Sequence, residues 1–221
     1  ATGSQDSSLC ITNIATKANV YTLRCGTWVR ASLSSMVSHH QFLKVNGVAW
    51  SPDGERLVAV TGIATNRASS IVIVTNHNSQ RRLDNINAAV RMVFADVFLL
   101  TPEQRHPLHG CAFSPLGILA VGGEDQAVTL LDPSNNYAVI YEFNGLGHTV
   151  RYRSSYRFLL MVRTQVERLA FSPDGNLLAA GCADGHIYIY GFRYGNWVQV
   201  SHNKYHSNDV RRSFLNIIFH N

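Results

Sequence analysis

The chain has 221 residues, of which 46% are hydrophobic and 15% charged, with a formal net charge of +5. That is enough apolar material for a sizeable core and too little charge for a disordered chain. The longest apolar runs, Val93–Leu100 and Phe158–Val162, fall far short of the roughly 20 residues that cross a bilayer as a helix, so no membrane association is expected. The basic excess suits an acidic partner without naming one.

The predicted elements begin with two short runs, Ser8–Asn13 and Asn19–Leu23, which pattern as a strand pair. A longer unit then starts and recurs three times. Its first copy is Val45–Gly54 followed by Arg56–Val60, its second Leu108–Gly117 followed by Ile118–Gly122, and its third Val166–Gly175 followed by Leu177–Gly181. Each opens with an apolar run ending in an aromatic, Trp50, Phe113 or Phe171. Ser-Pro-Asp-Gly follows, a turn in which Pro presets φ and Gly accepts the positive φ. The middle copy has Leu116 where the others have Asp53 and Asp174. The next run consists of small and branched apolar residues, as expected of a strand covered on both faces. Third strands are predicted at Ser70–Thr75, Ala127–Asp132 and His186–Tyr190, and fourth strands at Ala89–Leu99, Tyr137–Phe143 and Trp197–Ser201. At the end of the chain, His206–Val210 and Phe214–Phe219 read as the approach to a further first strand. The expectation is an all-β chain of four-stranded antiparallel units.

The residues that could carry chemistry are mostly explained by turns. Asp53, Asp125, Asp174 and Asp184 stand where a turn needs a short acceptor side chain. There is neither a Gly-x-Ser-x-Gly elbow nor a Gly-rich phosphate loop with its Lys, so no enzyme activity, cofactor or small-molecule substrate is expected. His202 and His206 are four apart, His106 and His109 three apart, and His39 and His40 adjacent, but no Cys or carboxylate completes a metal set, and none is expected. Cys10, Cys25, Cys111 and Cys182 are widely spaced and no Asn-x-Ser/Thr occurs, which points to a reducing, cytoplasmic location. The distinctive feature is the run Arg151-Tyr-Arg-Ser-Ser-Tyr-Arg157, with Arg163 beyond it, inside the long insertion between His148 and Val166. Guanidinium groups alternating with phenol rings suit acidic protein tails, or phosphates and stacked bases. Arg151, Tyr152, Arg153, Tyr156, Arg157 and Arg163 are therefore the candidate partner-binding residues.

The three Phe/Trp-Ser-Pro-Asp/Leu-Gly turns, with the downstream Asp184-Gly185 and Ile187-Tyr-Ile-Tyr190, resemble the Trp-Asp (WD) repeat family of β-propellers across nearly the whole chain. The signature Trp-Asp falls on Thr12-Asn13, Thr75-Asn76, Leu131-Asp132 and Tyr190-Gly191, so its Trp is absent each time and the family's His–Ser–Trp–Asp cluster is not carried over. A Gly-His of the kind that opens a blade occurs at Gly147-His148, and a bare His at His206. Ser51, Ser114 and Ser172 are spaced by 63 and 58 residues, longer than the usual repeat of about 40–45, so extra residues are expected in loops or long fourth strands. Arg81-Arg82 and Arg211-Arg212 are followed by Leu83 and Ser213 rather than Gly, unlike phosphoinositide-binding propellers.

The resemblance implies a partial propeller of a longer or partner-completed assembly: residues 1–36 as the second half of a blade, 37–107 as a blade, 108–165 as a blade with the basic insertion, 166–205 as a blade, and 206–221 as the first strand of another. It also implies a non-enzymatic scaffold binding other proteins of a large complex. Leu169–Gly181 with Gly185–Tyr190 is similar to blades of the echinoderm microtubule-associated-protein-like family, which implies tubulin as partner and a place in the cytoskeleton or a cilium. The alternative is a subunit binding RNA or ribonucleoprotein through the same basic run.

Overall fold

The structure, a computed structural model, describes residues 1–24, 44–63, 68–76, 92–98, 106–144, 147–150 and 160–204. The described residues form strands, with a 3₁₀ turn at Pro133–Asn135, and hold no helix long and apolar enough to cross a membrane. A three-stranded sheet joins β1 (Thr2–Gly3), β2 (Ser8–Thr12) and β3 (Asn19–Arg24). A four-stranded sheet joins β4 (Lys44–Trp50), β5 (Arg56–Ile63), β6 (Ala68–Asn76) and β7 (Met92–Phe98). The next joins β8 (Leu108–Phe113), β9 (Leu119–Gly123), β10 (Val128–Asp132) and β11 (Ala138–Phe143). A two-stranded ribbon pairs β12 (Gly147–Val150) with β13 (Leu160–Arg163). The last sheet joins β14 (Val166–Phe171), β15 (Leu177–Cys182), β16 (His186–Arg193) and β17 (Asn196–Lys204). Strand order in each four-stranded sheet follows the chain, the simple meander of a propeller blade.

Trp50, Phe113 and Phe171 end the first strands of three separate sheets, as the repeat predicts. Two features differ from expectation. The two-residue β1 pairs with β2, so the first sheet has a strand more than the half-blade predicted. Gly147-His148 does not lead directly into a first strand, since it opens β12, and a full hairpin separates it from β14. The cause is long-range pairing. Leu160–Arg163 needs a backbone partner, and Gly147–Val150 supplies one. His206 and the predicted Phe214–Phe219 strand lie outside the described residues.

The chain divides into two compact units, Ala1–Cys111 and Ala112–Asn221, with the boundary inside β8. In the first, Leu9, Leu23, Val45, Leu57 and Ala59 form the core. In the second, the core includes Ala120, Val128, Leu130, Phe143, Val166, Leu178, Tyr190 and Trp197, with the Phe143 and Tyr190 rings stacked at 3.9 Å. The second strands β5, β9 and β15 are the most deeply covered: Leu57–Val60, Leu119–Val121 and Leu178–Ala180 are buried. Their small side chains let neighbouring layers close in on both faces. At Gly122, a Cβ would stand 2.9 Å from Val166 Cγ1 and 3.0 Å from the Ala127 carbonyl.

The first hairpin of each repeat is closed by a buried serine. Ser51 N donates to Arg56 O (2.8 Å), Arg56 N returns a bond to Ser51 Oγ (2.9 Å), and Ser51 Oγ donates to Asp53 Oδ1. Asp53 Oδ1 in turn accepts the Glu55 amide at 2.9 Å. Ser172, Asp174, Asn176 and Leu177 repeat the arrangement: Leu177 N reaches Ser172 Oγ at 2.9 Å and Asn176 N reaches Asp174 Oδ1 at 3.1 Å. The Ser172 hydroxyl, then the Asn176 amide, hold the Asp174 carboxyl below the usual carboxylate range. In the middle copy Ser114 Oγ accepts the Ile118 amide at 3.0 Å, and Ser114 N donates to Ile118 O at 2.8 Å. This turn is one residue shorter, and the missing residue is the one whose amide Asp53 and Asp174 capture. Leu116 therefore stands where one of the two donors to the Asp, the backbone amide, is absent, while the Ser114 hydroxyl remains.

Two outcomes follow. Ser172→Ala strands the half-buried Leu177 amide and should cost about 1–3 kcal/mol in urea denaturation, whereas Leu116→Asp should give little gain, because the shortened turn offers it the Ser114 hydroxyl but no amide. Gly122→Ala should lower stability by about 1–3 kcal/mol through overpacking against Val166 and the Ala127 carbonyl, read as a fall in thermal midpoint.

Candidate interaction site

The predicted partner-binding run is joined to a defined framework. Gly147 pairs with Arg163, and Val150 pairs with Leu160. The strand ends Val150 and Leu160 thus bracket residues 151–159. Arg151, Tyr152, Arg153, Tyr156 and Arg157 lie outside the described residues, and Arg163 is the last residue of β13.

A polar cluster around Asp184 and His186 sits at the turn between β15 and β16. Ala183–Gly185 brings the chain round, with Gly185 at φ 86°. Asp184 Oδ1 accepts the His186 amide at 3.0 Å, and Asp184 Oδ2 lies 3.0 Å from His186 Nδ1. Burial works to raise the Asp184 carboxyl, but the His186 amide and imidazole outweigh it and hold it below its ordinary value. The buried His186 ring stacks on His202 of β17 (5.2 Å, 20°), and His202 stacks on Tyr188 (4.7 Å, 17°). Burial pushes the Tyr188 phenol up to about 12 and raises the Cys182 thiol further, so Cys182 stays protonated and is a poor nucleophile. The cluster pins the β16–β17 ladder rather than presenting groups to a substrate. The spacing Asp184-Gly-His186 was its one visible signal.

Asp125 and Asp184 accept the amides of Ala127 and His186, two residues on, as their turn positions imply. Among the described residues no group of three or more His, Cys, Asp or Glu is placed to hold a metal ion. His39, His40 and His206 lie outside those residues.

Exposed apolar side chains gather on the last sheet. Its final hairpin turns through Tyr194 (φ 51°) and Gly195 (φ 81°), the paired positive values of a tight two-residue turn. Tyr194 stands fully exposed at the tip. Phe192, Val198 and Val200 are each between two and three fifths covered, and Trp197 is buried against Phe171 and Phe192. In the second sheet of the same unit Val139 and Ile140 of β11 are exposed.

Asp184→Asn should lower stability by about 1 kcal/mol at neutral pH, a small value because the carboxylate is partly solvated. A depressed folded-state pKa contributes stability above the unfolded value, 3.8, and loses it as pH falls through the folded one. The part of the urea-midpoint gap between wild type and Asp184→Asn that comes from the carboxylate should therefore be lost as pH falls below about 4; a gap that persists undiminished there contradicts the pairing.

The family model for the WD domain, G-beta repeat, matches residues 31–67 and 162–191. These segments hold the two copies with the full Ser-Pro-Asp-Gly turn, and the shortened middle copy lies between them. Comparison with curated proteins finds no significant match. The matched segments fall in two of the three four-stranded meanders; they support a WD-repeat family, and the all-β fold of successive antiparallel meanders is consistent with a partial WD-repeat β-propeller.

Proposed function

We propose that this chain is a non-enzymatic scaffold that binds other proteins of a large assembly through the basic segment carried between β12 and β13. The observation that supports this reading most directly is the Val150–Leu160 pairing. It brackets the Arg- and Tyr-rich stretch Arg151–Arg157 in the sequence. A loop held at both ends loses less entropy on binding than a free tail. Arg151, Arg153 and Arg157 offer forked donors to carboxylates, while Tyr152 and Tyr156 add rigid contact area.

The narrower reading is an acidic protein partner, with tubulin and its acidic tails the leading case and the cytoskeleton or a cilium the location. The net charge of +5 favours such an encounter. The second reading is RNA, favoured by the same interleaving of guanidinium and aromatic rings.

Co-sedimentation with microtubules separates the two. The intact chain should pellet with microtubules at low salt, and Arg151→Glu/Arg153→Glu/Arg157→Glu should weaken that by roughly tenfold or more with an unchanged melting temperature. Microtubules stripped of their acidic tails should pellet less of the wild-type chain. Failure of the intact chain to pellet at low salt rejects the tubulin reading. Salt-steep binding to single-stranded RNA, lost in the same variant, would replace it with the RNA reading.

A further inference from the structure

We draw no further inference here: the strongest candidate, the exposed apolar patch formed by Phe192 of β16 with Val198 and Val200 of the outer strand β17, lies beside the bulge opposite Tyr190, and nothing in the structure shows what covers it.

Discussion

A buried serine hydroxyl closes the first hairpin of every repeat, and the geometry of each sheet starts from that contact. Ser51, Ser114 and Ser172 are each almost wholly buried, and each accepts the amide of the residue at or just before the start of the second strand. A serine there satisfies a backbone donor that the sheet ladder cannot reach. The hydroxyl proton then needs an acceptor, which the Asp of Ser-Pro-Asp-Gly supplies in two copies. That Asp also captures the amide of the residue two positions on, so two backbone donors depend on one four-residue turn. In the middle copy the residue bearing the second amide is absent, and Leu116 stands where the others have Asp, with Ser114 still accepting the amide that leads into the second strand.

Fixing the first hairpin aligns the second strand, and that strand is covered on both sides. Leu57–Val60, Leu119–Val121 and Leu178–Ala180 can be buried only if their side chains are small or branched and no charge intervenes. The third and fourth strands add outward, and the pairing between them shifts register in every sheet that has both, at Ile11/Thr12, Val72/Val74, Leu130/Leu131 and Ile189/Tyr190. A bulge at that place strengthens the twist of the outermost strand and spoils its regular edge. This offers a physical reason why an edge strand that exposes Val198 and Val200 can be carried in the fold.

Polar groups inside the fold serve its own backbone. The turn carboxylates accept amides two residues ahead, and the Asp184–His186 pair, with the His202 and Tyr188 rings, staples β16 to β17. With these turn carboxylates engaged by backbone amides, the rigid sheets leave their loops and edges as the places where side chains can be presented. The ribbon of β12 and β13 is the one such presentation among the described residues that forms a two-stranded sheet of its own.

The sequence by itself determined what depends on neighbours along the chain. Ser-Pro-Asp-Gly and Asp-Gly set turns through φ preferences and short-range hydrogen bonds, and alternation around them set the strands, so the repeat and its four-stranded plan were legible in residues 45–60, 108–132 and 166–190. The same local rules could not show that Gly147–Val150 would pair with Leu160–Arg163, that Thr2–Gly3 would join β2, or that His186 would stack on His202. Those partners are separated by up to 16 residues, and each choice satisfies backbone groups or rings that no neighbour along the chain could reach. Only tertiary structure decided them, because a strand's pairing and a side chain's burial depend on what the rest of the fold brings beside it.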